Sequence, residues 1–317
     1  MTKAPAQTKH AARTETGGQT AIPAKAGKEN RVHGDAAFPV AAYLHRARPG
    51  DMPVYAHWHA EAEFLLLLEG EMAFQIGTDL LPLKAGEAVY VPGGEIHAGH
   101  PRGEAGCRFF ALVFRMDWLR SGTLDRVQSD YLAGLLDGRC SLPAHYDGAE
   151  PWSAAVLDEL SAIRRALAAR KPGYELEVKA RLYLILAAVA GGPGWIARHR
   201  ERPRDRQRLE ALKAVIARIE TRCTGKIRLR ELAELMGMSD SRFSRYFKQT
   251  MHQTPLAYIN RLRVEKAAEL LRETDRNILD IALEVGFEHP GYFIRRFREQ
   301  TGMTPAEYRR RHFRADP

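Results

Sequence analysis

Residues 278 to 308 read ILDIALEVGFEHPGYFIRRFREQTGMTPAEY, and the same unit has already occurred once upstream. A shift of 49 residues lays Ile281 and Ala282 over Leu232 and Ala233, and Gly286 over Gly237. Past the turn the shift becomes 50, laying Phe293, Arg295, Phe297, Thr304, Pro305 and Tyr308 over Phe243, Arg245, Phe247, Thr254, Pro255 and Tyr258. Each copy reads as a helix, a turn, a second helix and the start of a third, with one extra residue in the second copy's turn.

The local chemistry of the unit is regular. Ala233 and Ala282 stand where one helix must let another cross closely. Gly237 and Gly286 end the first helix, at a reversal where positive φ suits glycine. Ser239 is positioned to cap the next helix, Asn277 to cap the helix that opens the second copy, and Pro290 suits a first helical position. Thr254 with Pro255, and Thr304 with Pro305, repeat the pairing of a cap with a first-turn proline, and Thr304 with Glu307 has capping-box spacing. Phe243 and Phe247, like Phe293 and Phe297, are four apart and so share an inner face, while Arg245 and Arg295 point the other way. Two irregularities stand out. His252 occupies the place of Gly302, and Arg228 stands where a hydroxyl cap is expected.

An A-x-x-x-G-F core (Ala282 to Phe287), a Y-F-x-R-x-F-R run (Tyr292 to Arg298) and G-M-T-P-A-E-Y-R (Gly302 to Arg309) resemble the DNA-binding domain of the AraC/XylS family of bacterial transcription regulators. The resemblance implies an all-α tandem helix-turn-helix domain over residues 207–313 that binds double-stranded promoter DNA. RNA polymerase is the implied protein partner, and a homodimer the implied assembly. By position in the motif, Ser241, Arg242, Ser244 and Arg245, with Arg295 in the second copy, are the base-facing candidates. Lys248, Arg296 and Arg298 are the phosphate-facing ones. Two recognition helices held by one long helix would enter successive major grooves about 34 Å apart. His289, Pro290, Gly291 and Ile294 replace polar groove-facing residues, so the second copy is expected to read bases more weakly.

Charge agrees with that assignment. Of a formal net charge of +9, the stretch from Arg206 onward carries nearly all, with 23 basic against 15 acidic side chains. A local basic excess suits a polyanion. Three widely spaced cysteines, Cys107, Cys140 and Cys223, form neither a disulfide framework nor a zinc-finger spacing. With no apolar leader and no membrane-length segment, a soluble cytoplasmic protein is expected. Residues 1–35, poor in large apolar side chains, are expected to form a disordered tail.

Residues 36–116 have the pattern of an antiparallel barrel or jelly roll. Strand-length runs at 64–68, 72–76, 88–91 and 109–114 are separated by glycine and proline turns, including one expected at Glu69 and Gly70. Within them, His57, His59, Glu63 and Gly70 follow H-x-H-x3-E-x6-G, and Gly86, Pro92, Gly94 and His97 follow G-x5-P-x-G-x2-H. These two runs resemble the signature motifs of the cupin superfamily. Residues two apart on a strand face the same side, so His57 and His59 converge, and closure brings Glu63 and His97 alongside. Three imidazoles and a carboxylate suit a divalent Fe, Mn, Ni, Cu or Zn ion with open positions. The same groups can instead bind an effector's hydroxyls directly, as AraC-type barrels do with a sugar or metabolite, and Trp58 and Tyr90 offer rings to stack on it. A metal-dependent cupin enzyme, a dioxygenase or isomerase, fused to a DNA-binding domain is the alternative.

Between the two regions, residues 117–190 turn helical. Val156, Leu160, Ile163 and Leu167 form a short seam able to zip against a twin or to pack on the chain's own barrel, and 182–189 is apolar all round, as in a buried helix. Residues 191–206, glycine-rich and then charged, read as the linker. The expected architecture is therefore an α+β multidomain chain: cupin barrel, helical connector and tandem helix-turn-helix domain.

Overall fold

The computed structural model describes residues 27–29, 31–48, 54–123, 125–197 and 203–313. Seven strands open the chain: β1 (Gly27–Lys28), β2 (Val40–Ala47), β3 (Val54–Trp58), β4 (Ala62–Ile76), β5 (Asp79–Lys84), β6 (Ala88–Val91) and β7 (His97–Phe114). The two long ones organise the rest. β7 pairs antiparallel with β2, β3 and β4, and β4 also takes β5 and β6, which wraps the sheet into the expected barrel-like form.

Alternation along β4 separates two environments. Leu65 and Leu67 turn into the barrel interior with Phe74, Leu83 and Phe109. Phe64 and Leu66 turn outward beneath the connector helices. Glu63 has the parity of the interior residues, so the fold carries a carboxylate into the barrel.

The turn expected at Glu69 and Gly70 is not a turn. β4 runs through it, and the register against β7 shifts on either side of Gly70. Gly70 has φ +81°, and a Cβ there would lie 2.2 Å from the Gly106 carbonyl oxygen, so glycine here permits a bulge that bends one long strand. Of the disordered tail expected over residues 1–35, residues 1–26 lie outside the described residues, whereas Gly27–Lys28 pairs in parallel with β3 and His33 is buried.

The connector begins with a 3-10 turn (Met116–Leu119) and a π-helical stretch (Val127–Leu132) that runs into α1 (Ala133–Leu136); two short strands follow, β8 (Cys140–Ser141) and β9 (His145–Tyr146), where only helix was expected. β9 extends the barrel sheet beside β6. Next come α2 (Pro151–Ala169) and α3 (Tyr174–Gly191), then β10 (Ile196–Ala197), which pairs with β8. Val156, Leu160 and Ile163 of α2 are buried with Val178, Leu182 and Ile185 of α3 over the outer barrel face, so the seam packs on its own barrel. No helix among the described residues is long and apolar enough to cross a membrane. All three cysteines are free.

The C-terminal region comprises α4 (Pro203–Arg222), α5 (Leu229–Leu235), α6 (Asp240–Met251), α7 (Pro255–Glu273), α8 (Ile278–Glu284), α9 (Pro290–Thr301) and α10 (Pro305–His312). The repeat is realised as α5–α6 and α8–α9. Ala233 and Ala282 are fully buried at the crossings, and Gly237 and Gly286 take φ +59° and +96°. α7 frames both units: Tyr258 and Ile259 join the first core, and Val264, Ala267 and Leu271 the second. Asn260 ties them together by donating to the Tyr292 hydroxyl at 2.7 Å. Thr254 and Asn277 cap as expected, and Thr304 with Glu307 closes a full capping box. Ser239 does not cap through its side chain, because its hydroxyl turns to that of Ser241.

Candidate functional site

Two sites emerge, one inside the barrel and one on the helical surface. In the barrel, β3 delivers His57, the turn after it His59, the start of β4 Glu63, and the start of β7 His97. Backbone pairing of His57 with His97 brings the second motif to the first. All four residues are buried, and one ligand atom from each can be chosen so that all lie within 4.8 Å of one another.

The hydrogen bonding aims the three imidazoles inward. His57 Nδ1 lies 2.7 Å from the Tyr55 carbonyl oxygen, His59 Nδ1 3.1 Å from that of Glu61, and His97 Nδ1 2.9 Å from that of Glu95. A carbonyl only accepts, so each Nδ1 donates, which turns each Nε2 toward the centre. Backbone carbonyls that fix ring and tautomer in this way are the usual outer support of a metal-binding histidine.

Glu63 Oε2 sits 3.1 Å from His59 Nε2 and 3.3 Å from His97 Nε2. Bonds of about 2.0–2.2 Å to one ion place neighbouring donor atoms roughly 3.0–3.5 Å apart, so the four groups fit a common divalent ion. His97 Nε2 is buried, and Glu63 lies close to it but off the line of a good hydrogen bond, an arrangement that an ion between them would complete. Burial raises the Glu63 carboxyl, but His59 and His97 outweigh it and hold the group well below the usual carboxylate range. Burial lowers the His59 pKa, yet Glu63 more than offsets this and raises it, whereas burial and the neighbouring His57 push His97 down. Glu63 is thus an anion among rings of unequal basicity, prepared for a cation in the middle.

Trp58 and Tyr90 do not join this cluster. Trp58 follows His57 on the strand and faces the opposite side, 8 % exposed, in a core shared with Leu212, Ile216, Phe243 and Phe247. Tyr90 packs against Phe64 under the connector helices. Stacking on a ligand held by His57, His59, Glu63 and His97 is therefore closed to both. Two residues absent from the sequence expectation lie beside the site instead: Glu29 Oε2 is 3.3 Å from His57 Nε2, and the His33 ring lies 5.2 Å from that of His59. Glu29 follows a tail whose composition gave no signal, and only its strand-like attachment to β3 brings it here.

On the helical surface, Ser241, Arg242, Arg245 and Lys248 are exposed on α6 and Ser244 is half-buried, while Phe243 and Phe247 are fully buried on its inner face. On α9, Arg295 and Arg298 are exposed and Arg296 is half-buried. Arg296 is tied to Glu299 at 2.7 Å, and Arg295 lies 5.3 Å over the Tyr292 ring and 3.9 Å from Glu299. The separation of aromatic inner and basic outer faces is thus realised in both helices.

Two domain families match the chain: a helix-turn-helix domain at residues 232–311 and a cupin domain at residues 43–113. The transcriptional regulator CdhR of Pseudomonas aeruginosa is 30% identical over 264 residues, covering 73% of this chain and 74% of that protein. The uncharacterised HTH-type transcriptional regulator YdeC of Bacillus subtilis is 25% identical over 287 residues, 89% of this chain and 96% of that protein. A probable AraC family transcriptional regulator from Rhodopseudomonas palustris aligns at 28% identity over 33% of this chain and 99% of its own, with a TM-score of 0.32. These relatives are named as regulators and not as enzymes. Basic recognition helices on a twice-repeated motif, joined to a cupin barrel and matched by regulators along most of the chain, make this protein a DNA-binding transcription regulator of the AraC/XylS family.

Proposed function

We propose that the cupin barrel of this regulator is a sensor: His57, His59, Glu63 and His97 hold a divalent ion, and a small molecule that reaches it alters promoter binding by the helices. The observation that carries this reading is the wall shared by the two regions. His57 and His97 face the cluster, while their neighbours Ala56, Trp58, Ile96 and Ala98 face outward into one core with α4, α5 and α6. The wall between cluster and first recognition unit is a single strand layer, and Gln75 of the barrel also donates to the Thr250 carbonyl of α6 at 3.4 Å. A ligand acts by favouring one arrangement of this wall over another, and its effect on DNA affinity equals that preference.

When bound, the ion would supply a Lewis-acidic centre for an effector's oxygen atoms. The chain's own groups do the rest. The backbone carbonyls orient the imidazoles, and the surrounding apolar strands exclude water. In the DNA complex, Ser241, Arg242, Ser244, Arg245 and Arg295 read bases and Lys248, Arg296 and Arg298 meet phosphates, with a homodimer and RNA polymerase as partners.

The test is metal content by elemental mass spectrometry of the full chain and of His57→Ala, His59→Ala, together with DNA affinity measured on a duplex selected from a random pool. About one ion per chain, lost in the variant, with a changed DNA affinity, is the expected result. A wild-type chain that takes up no ion, even after reloading, removes the metal from the reading.

A further inference from the structure

Outside the four motif residues, Glu61 approaches only the outward-turned Nδ1 of His59, at 3.7 Å, whereas another carboxylate approaches an inward-facing nitrogen and comes from a segment that belongs to neither signature motif. Gly27–Lys28 lies parallel to β3, registered on His57 and Trp58, and the Glu29 amide donates to the Trp58 carbonyl at 2.9 Å. This attachment fixes where the Glu29 side chain begins. Its Oε2 ends 3.3 Å from His57 Nε2 and 3.6 Å from His33 Nε2, with the side chain 15 % exposed. The 3.3 Å spacing equals that between Glu63 and His97, a separation that two neighbouring donors of one ion can have, and it places Glu29 at the His57 side of the four groups that lie within 4.8 Å of one another, outside that set. His33 is a second support, its Nδ1 3.0 Å from the Tyr43 hydroxyl and its Nε2 buried without a hydrogen-bond partner among the described residues.

The donor types support the same arrangement. Two carboxylates with three imidazoles make an oxygen and nitrogen set of the kind that suits Mn, Fe, Co or Zn.

We propose that Glu29 is a fifth, displaceable oxygen ligand of the barrel ion, and that it occupies the position a carboxylate-bearing effector would take. This rests on the metal reading of the four motif residues. With its side chain 15 % exposed against 7 % for Glu63, Glu29 is the ligand that an incoming carboxylate reaches first. The exchange would be felt beyond the site, because the backbone two residues earlier passes against the helical region. A Cβ on Gly27 would lie 2.5 Å from the Tyr258 hydroxyl and 2.2 Å from Glu220 Oε1, the pair joined by a 3.0 Å hydrogen bond between α7 and α4. Glu29 and Gly27 thus connect the ion to the frame of the first recognition unit.

The experiment uses the full chain, stripped by a chelator and reloaded with Co(II), whose visible absorption reports coordination. Glu29→Gln keeps shape and hydrogen bonding but removes the charge, and Glu29→Asp keeps the charge on a shorter reach. Loss of a ligating or supporting group lowers metal affinity by about 10–100-fold. Expected is a Co(II) affinity in Glu29→Gln at least tenfold below wild type, with an altered spectrum and an intermediate Glu29→Asp. Malonate, as a carboxylate probe, is expected to change the wild-type spectrum, to bind Glu29→Gln more tightly than wild type, and to speed hydrogen exchange at the Glu29 amide. Equal Co(II) affinity and spectra in wild type and Glu29→Gln overturn the ligand assignment while leaving the four-residue centre intact. Malonate binding that is unchanged by Glu29→Gln overturns the displacement. A wild-type chain that takes no Co(II) overturns the metal centre itself, and this proposal with it.

Discussion

The two helix-turn-helix units share a sequence pattern but not a set of neighbours. The second, α8–α9, closes its own core: Ile281, Ala282, Phe287, Phe293 and Phe297 pack with the C-terminal half of α7. The first, α5–α6, packs Leu232, Phe243, Phe247 and Met251 with α4 and with Ala56, Trp58, Ile96 and Ala98 of the barrel wall. The ends of the recognition helices differ in the same sense. α9 stops at Gly302, with φ +76° and open space where a Cβ would lie, whereas α6 stops at His252, with φ +55° and its ring 5.8 Å from His100 of β7. A repeated motif therefore yields one unit that stands by itself and one whose stability depends on the barrel. Under the sensing role proposed above, the unit packed on the barrel wall is the one placed to respond to the cupin site.

The largest test of this contrast is Trp58→Ala. Truncating a buried tryptophan costs about 3–5 kcal/mol, and the loss should fall on the first unit. Hydrogen exchange is expected to quicken in α6 while α9 keeps its protection; equal loss in both would mean that α7 binds the units into one cooperative block. Next is Arg245→Ala, expected to weaken specific DNA binding by about 1–3 kcal/mol and to relax preference at one base pair. Arg295→Ala should cost less, since Arg295 is already engaged by Tyr292 and Glu299. A selection experiment on random duplexes, repeated for each variant, would reverse the ranking if the second unit were the principal reader.

The smallest effects concern the helix ends. Gly302→Ala meets no neighbour but forces a left-handed alanine, costing about 1–2 kcal/mol. His252→Gly relieves the same strain and gives up the His100 ring contact, so thermal unfolding should move by less than about 1 kcal/mol. A large destabilisation by His252→Gly would show that the contact with His100 is a principal tie between barrel and helices.

Much of this was legible before any tertiary structure. The twin units follow from paired phenylalanines four apart, from Gly237 and Gly286 at positive φ and from threonine–proline starts, all of which act within one or two turns of chain. The spacing of His57, Glu63 and His97 was readable for the same reason, because strand parity sets which side chains share a face, whereas His59 lies just past the end of β3 and is brought in by the turn there. Legibility failed where parity was interrupted or partners were distant. A bulge at Gly70 carried β4 through an expected turn, and Trp58, a plausible stacking ring by type, faced the helical core because it sits one residue from His57.

The sequence by itself determined the repeated helix-turn-helix unit, its basic outer face and the convergence of His57, His59, Glu63 and His97, since each depends on short-range geometry that a few side chains enforce. Only the tertiary structure decided that the barrel wall completes the first unit's core, that the α2 seam packs on its own barrel, and that Glu29 lies against His57. Those outcomes depend on pairings between segments far apart in the chain, such as β1 on β3 and α6 against the barrel. Such pairings are fixed by closure and packing of the whole, and no local pattern encodes them.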